Sequence, residues 1–147
     1  MRRGILLSGL VAFAAVPAVA LSAGSGRYIS YTEHPRSNGK VSNTHITVER
    51  ATGRTFIHAS DKCLGTSGGR IKEASIGGLR GPKVHDGKLD YDGNAFIDEQ
   101  QGKTRVTTTV TLKMAATVTA EEVTGTVDFP ATAGCKARSF TAKRISP

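Results

Sequence analysis

The sequence predicts an all-β domain: a single antiparallel β-sandwich of jelly-roll type, or a barrel, of about eight short strands with one disulfide. Polar and apolar residues alternate over several segments, which is the period of a half-buried strand. No segment keeps the 3.6-residue apolar period of a helix. The chain contains 17 glycines, many of them in turn-like clusters between the alternating segments.

The first half of the domain is predicted to contain short strands and irregular turns. Residues 28–31 form a short edge strand, and residues 35–43 are rich in turn formers. Residues 45–49 and 54–59 form a hairpin around Ala51-Thr52-Gly53. The segment 61–82 is the least regular, with one strand expected within residues 70–76.

The second half contains the clearest strand patterns. Residues 88–91 and 95–98 flank Asp92-Gly93-Asn94, and Asp-Gly between such segments predicts a hairpin turn. Residues 104–119 place valine, leucine and methionine on even positions and threonine on odd ones. Because this strand is unusually long, we expect a bend near Ala115-Ala116 or a break near Thr108. Strands at 123–129 and 136–144 follow, with residues 130–134 as a loop.

The first twenty residues predict a cleavable export signal. Arg2 and Arg3 supply a positive start, residues 5–16 are apolar, and Ala18-Val19-Ala20 fits a cleavage site. The apolar segment is shorter than the roughly 20 residues that span a bilayer. We therefore expect a signal peptide at 1–20, a flexible N-terminus at 21–27 and the domain at 28–147. The exported protein would be extracellular or associated with the cell envelope.

Two cysteines, Cys63 and Cys135, occur in the whole chain. An exported protein meets oxidising conditions, so this pair predicts one disulfide. Closing a loop of this length contributes about 4 kcal/mol by loop-closure entropy. The spacing fits neither the C-x-x-C of redox enzymes nor a clustered zinc site.

One short segment invites a catalytic hypothesis. Gly65-Thr66-Ser67-Gly68-Gly69 matches G-x-S-x-G, the motif that presents a nucleophilic serine on a strand-to-helix turn. Here no helix follows and the chain is too short for a large α/β sheet, so we interpret the segment as a loop. A small serine hydrolase using Ser67, with His58 or His85 as the base, is kept as an alternative function.

A second segment bears a weak similarity to a calcium loop. Asp90, Asp92 and Glu99 fall on ligand positions, but Lys88 stands where the first ligand should be. The four histidines are scattered, without the spacing of a metal face. We therefore predict no metal and no cofactor, with these three acids as a weak calcium candidate.

The charge balance favours an anionic partner. The chain has 20 basic and 12 acidic residues, and loss of Arg2 and Arg3 would leave a net charge of +6. The densest basic group is near the C-terminus and is a candidate anion-binding site: Lys136, Arg138, Lys143 and Arg144. Nucleic acid is not expected as the partner, since the chain contains no motif that docks it and no tryptophan.

Three segments of the C-terminal half carry a resemblance to known proteins: 106–112, 123–127 and Cys135 with residues 139–142. In these segments the chain resembles small secreted actinobacterial β-sandwich proteins of unknown function. The resemblance implies a one-domain β fold and an exported protein, and it transfers no catalytic residues.

The sequence thus predicts a non-enzymatic, secreted or envelope-associated binding module with a basic surface. Its expected partner is an anionic cell-wall or extracellular polymer. Two alternatives are a carrier of a small apolar ligand inside the domain and the serine hydrolase that uses Ser67.

Overall fold

The structure is a computed structural model that describes residues 26–34 and 39–147. The predicted export signal and residues 21–25 of the predicted flexible segment lie outside the described residues. Gly26 and Arg27, predicted as the end of that flexible segment, begin the first strand. Within the described residues, no helix is long and apolar enough to cross a membrane.

The described residues form ten strands and two short 3₁₀ turns at Lys62–Leu64 and Gly78–Arg80. The strands are β1 (Gly26–His34), β2 (Gly39–Val48), β3 (Thr55–Ser60), β4 (Thr66–Ser67), β5 (Arg70–Ile71), β6 (Glu73–Ile76), β7 (Lys88–Gln101), β8 (Thr104–Val118), β9 (Glu122–Asp128) and β10 (Arg138–Ser146).

Eight of these strands form a closed antiparallel barrel in the order β1-β10-β9-β8-β7-β6-β3-β2. Each strand therefore pairs with its neighbours along the chain, and β1 closes the ring against β10 through Ile29 and Lys143. The remaining two strands, β4 and β5, form a small hairpin between β3 and β6. The predicted all-β fold is confirmed, and the barrel is the architecture observed.

The two ends of the barrel differ in the loops they carry. Because successive strands alternate in direction, residues 61–72, 102–103 and 129–137 lie at one end. Residues 49–54, 77–87 and 119–121 lie at the other. The first end holds the predicted disulfide between Cys63 and Cys135, whose Cα atoms are 5.1 Å apart. We call it the disulfide end, and the other the opposite end.

Side chains fill the barrel interior. Alternate residues point inward, as the even positions of β8 do at Leu112, Met114, Ala116 and Val118. An eight-stranded barrel has an interior just wide enough for side chains to fill. The largest fully buried side chains are Tyr28, Phe129, Ile46, Ile57, Leu89, Leu112, Val123, Val127, Thr44 and Thr55.

The hairpin turn predicted at Asp92-Gly93-Asn94 is wrong. Asp92-Gly93-Asn94 is not a turn but the middle of β7, paired with residues 111–113 of β8. Glycine suits position 93 because the Tyr91 ring lies over it. A Cβ atom on Gly93 would be 3.0 Å from Tyr91 Oη. Strand β8 is likewise continuous from Thr104 to Val118, without a break at Thr108.

Candidate functional site

A cleft opens in the barrel wall between β6 and β7, towards the disulfide end. These two strands pair at one position, Ser75 with Phe96, whereas β7 and β8 pair along their full length. Beyond Ser75, towards the disulfide end, β6 continues only to Glu73 and forms no further ladder pair with β7. The resulting cleft has a volume of 810 Å³ and is lined by β3, β6, β7 and the β4–β5 hairpin. We call it the seam cleft.

A histidine and a glutamate form the outer wall of the seam cleft. His58 Nδ1 lies 2.9 Å from Glu73 Oε1, and this hydrogen bond lowers the pKa of Glu73 below its ordinary value. The ring of His45 stacks on that of His58 with centroids 5.5 Å apart, because the two residues are register partners on β2 and β3. Burial, and next the charge of His58, lower the pKa of His45.

An ion pair forms the inner side of the cleft. Lys72 Nζ lies 2.9 Å from Glu99 Oε2, and the Glu99 side chain is 11% exposed. The hydrogen bond from Lys72 lowers the pKa of Glu99, and a further one from the Ser67 hydroxyl acts in the same direction. These contacts attach the β4–β5 hairpin to the end of β7.

A second, shallower groove of 580 Å³ continues from the cleft and shares Ser75 and Asp98 with it. Asp98 accepts hydrogen bonds from Thr107 and Arg105, which lower its pKa in that order of importance. Arg80 lies over the Phe96 ring at 5.9 Å. The cations on this side are therefore already engaged with a carboxylate or a ring.

Of the three residues named for the serine-hydrolase alternative, Ser67 and His58 line the seam cleft and His85 does not. Ser67, His58 and Glu73 all line the seam cleft. The Ser67 hydroxyl is hydrogen-bonded to Glu99. His85 lies in the loop between β6 and β7 at the opposite end, exposed beside Asp86. The segment interpreted as a loop is in fact the tight β4–β5 hairpin, whose turn residues Gly68 and Gly69 both have positive φ.

The predicted C-terminal basic group is divided between the two ends of β10. Arg138 and Arg144 share the inward side of this strand with Phe140 and Ala142. Lys143 points outward and pairs with Glu122, while Lys136 is exposed in the preceding loop. The structure therefore does not bring the four cations together on one surface.

The two arginines of this group form hydrogen bonds at opposite ends of the barrel. At the disulfide end, Arg138 Nε lies 3.1 Å from Asp61 Oδ2, and its Nη2 donates to the Ser60 carbonyl at 3.0 Å. At the opposite end, Arg144 Nη1 donates to the Ala120 carbonyl at 3.2 Å. Both guanidinium groups thus satisfy backbone or carboxylate oxygens of the protein itself.

The weak calcium candidate is spread along one strand. Asp90 and Asp92 lie on the outer face of β7, and Asp92 pairs with Lys113 at 3.1 Å. Glu99 lies on the inner face, bound to Lys72. In the described part of the chain, no cluster of three or more histidine, cysteine or acidic residues could hold a metal ion.

A basic surface on the loops of the disulfide end shares only Lys136 with the basic group that the sequence predicts. Four exposed cations there have no ion-pair partner among the described residues: Lys62, Arg70, Lys103 and Lys136. We call them the end cations. Lys62 and Lys136 are chain neighbours of Cys63 and Cys135, so the disulfide keeps their backbones close.

The acids of the same end do not neutralise this surface. Four of them are committed to partners of their own: Asp61 to Arg138, Glu73 to His58, Asp98 to Arg105 and Glu99 to Lys72. At this end Asp128 has no ion pair among the described residues, so the four end cations still outnumber the unpaired acids and leave net positive charge in solvent, where an anion can approach.

No family model, no curated protein and no solved structure matches this chain.

Proposed function

We propose that the chain is an exported, non-enzymatic binding module whose disulfide end binds an anionic polymer of the cell wall or extracellular space. The observation that carries this proposal is the set of end cations, which are exposed and have no ion pair with any acid in the described part of the chain. The Cys63–Cys135 disulfide supports export, since disulfides persist mainly in oxidising compartments.

A polymer suits this surface better than a small anion. The end cations stand on three separate loops, at 61–72, 102–103 and 129–137, rather than around one pocket. Charges spread in this way attract a polymer with repeated anionic groups at several points. Each cation contributes about 1 kcal/mol next to an anionic surface. Because exposed charges are screened by salt, the binding should weaken steeply with ionic strength.

The two alternative functions receive less support. For a hydrolase, Ser67 would need a hydrogen bond to its base, whereas its hydroxyl is bonded to Glu99, itself paired with Lys72. For a carrier, the barrel would need room for a ligand, whereas large side chains such as Tyr28, Leu112 and Phe129 are fully buried within the core.

The test compares two double variants with the same change in net charge. Lys62→Gln/Lys136→Gln removes two end cations, and Arg50→Gln/Lys83→Gln removes two exposed cations of the opposite end. We expect the first variant to bind purified wall teichoic acid about thirtyfold more weakly, because two contacts of about 1 kcal/mol are lost. The second should bind as the unmodified protein does.

Two results would contradict the proposal. One is binding to teichoic acid that is unchanged between low and high salt, which would remove the electrostatic attraction. The other is an equal loss of affinity in both double variants, which would mean that net charge matters and the disulfide end does not. Uncharged dextran serves as the control polymer in both measurements.

A further inference from the structure

The β7–β8 hairpin extends beyond its neighbours in the barrel. Strand β8 pairs with β7 along its whole length, from Thr104↔Gln101 to Thr117↔Lys88. It pairs with β9 only from Lys113 to Val118. Among the described residues, no strand and no loop backbone is hydrogen-bonded to the other side of residues 104–112. We call this stretch the free edge of β8.

The free edge has the properties of a pairing surface. Its residues are mainly threonine and valine, which favour extended backbone. Thr107, Thr108 and Thr109 are exposed, and Val106 and Val110 are half-buried. The edge has no proline, and its one cation, Arg105, is paired with Asp98. Such an unprotected edge is a template for another strand.

The sequence of the free edge is complementary to itself. Outward from Thr108, the chain reads Thr107 then Val106 in one direction, and Thr109 then Val110 in the other. Antiparallel pairing of two copies about Thr108 would therefore oppose threonine to threonine and valine to valine. Arg105 would face Thr111, so no like charges would be opposed. Such β-branched cross-strand pairs stabilise sheets.

The length of the free edge fits the same centre. Residues 104–112 have Thr108 as their midpoint, so pairing about Thr108 would use the whole edge. Pairing in this register would also place Val106 against Val110 of the second copy on one face of the sheet. The symmetry of the sequence and the extent of the unpaired strand thus indicate one and the same register.

We propose that the free edge of β8 joins two copies of this chain in an antiparallel, two-fold symmetric strand pair centred on Thr108. The same surface is used by both copies, as in most homodimers. A single strand pair buries less than the about 1,000 Å² typical of stable interfaces. The dimer is therefore reversible and concentration-dependent. This inference does not depend on the proposed polymer binding.

Sedimentation equilibrium from micromolar to millimolar concentrations tests the proposal. The unmodified protein should form a reversible dimer. Thr108→Lys places two lysines opposite each other at the axis and should raise the dimer dissociation constant about tenfold or more. Thr126→Lys is the matched control, since Thr126 is exposed on β9 between two paired strands. A monomer at all concentrations, or equal weakening by both substitutions, would overturn the proposal.

A cross-linking experiment tests the register directly. The chain has no free cysteine, so a single introduced thiol is the reactive one. Opposed residues of an antiparallel pair have Cα atoms about 4.5–5.5 Å apart, within the range of a disulfide. Thr108→Cys should therefore give a covalent dimer under mild oxidation, whereas Thr104→Cys, which would face Leu112 of the second copy, should not. Equal cross-linking of both, or of neither while circular dichroism shows native folding, would disprove the register.

Discussion

Arg138 illustrates how one residue connects several strands at the disulfide end of the barrel. Its guanidinium offers five donors in a fixed geometry, which suits it to several acceptors at once. It reaches the carboxylate of Asp61, the carbonyl of Ser60 and the hydroxyl of the fully buried Thr44, at 3.1, 3.0 and 3.4 Å. Asp61 in turn accepts from the backbone N–H of Cys63. The arginine therefore joins β10 to β2, β3 and the disulfide loop.

Glu73 permits a prediction about pH. Its hydrogen bond from His58 holds the pKa of Glu73 below the ordinary value. A carboxyl whose folded-state pKa is depressed stabilises the protein above its unfolded-state pKa, and this contribution is lost as the pH falls through the folded-state pKa. We expect Glu73→Gln to lower the free energy of unfolding at neutral pH and to have little effect in strongly acidic solution.

The size of this effect should be small, because both side chains are partly exposed and solvent screens their attraction. Urea unfolding of the two proteins at both pH values gives the comparison. Glu121→Gln is the control, since Glu121 is exposed and has no ion pair among the described residues. A loss that is equal at neutral and acidic pH would mean that the charge of Glu73 does not contribute.

At the scale of elements, β7 shows that packing can override a strong local turn signal. Asp92-Gly93 favours a hairpin turn in isolation. In the barrel the same residues pair with Lys113 and Leu112 of β8, and the missing Cβ of Gly93 makes room for the Tyr91 ring. The Tyr91 hydroxyl passes over Gly93 and donates to the Asn94 carbonyl at 2.6 Å.

A double-mutant cycle on Tyr91 and Gly93 tests this account. Gly93→Ala should displace the Tyr91 ring and cost about 1 kcal/mol of unfolding free energy, since the hydroxyl loses its hydrogen bond. In a Tyr91→Ala background the same substitution should cost little, because no ring remains to be displaced. Urea unfolding measures both. An equal cost in the two backgrounds would mean that the Tyr91 ring is not the reason for glycine at position 93.

How much of the fold the sequence predicts depends on how far apart in the sequence the interacting residues are. The alternation along β8 is local, so it predicts a strand and its buried face correctly. The course of β7 depends on contacts with β8 and on the Tyr91 ring, which no local pattern reveals. Closure of the ring by β1 and β10 depends on residues more than a hundred positions apart, such as Ile29 and Lys143.

The candidate site was predictable only in part. The period of two along β10 places Arg138 and Arg144 on the same side as Phe140 and Ala142, which signals that these arginines point inward. That signal was available and argues against one basic surface. The seam cleft had no local signal, because it depends on where β6 ends relative to β7. The end cations lie on loops distant in sequence, and only the topology of the barrel places these loops at the same end.

At the scale of the whole molecule, the disulfide links two loops at one end of the barrel, and its two cysteines are 72 residues apart in the sequence. Cys63 lies between β3 and β6, and Cys135 lies between β9 and β10. Together with the Arg138–Asp61 pair, it fixes the loops that carry Lys62 and Lys136. The same cross-link is therefore expected to stabilise the fold and to position part of the proposed binding surface.

Replacing both cysteines separates these two roles. Cys63→Ser/Cys135→Ser frees a loop of 72 residues and should lower the free energy of unfolding by about 4 kcal/mol, mainly through the entropy of the unfolded chain. Under conditions where this variant stays folded, we expect weaker binding to teichoic acid, because Lys62 and Lys136 are no longer held close. Urea unfolding and polymer titration of the same samples measure the two effects. Full affinity in a destabilised variant would mean that the disulfide acts on stability alone and that the lysines bind independently of each other.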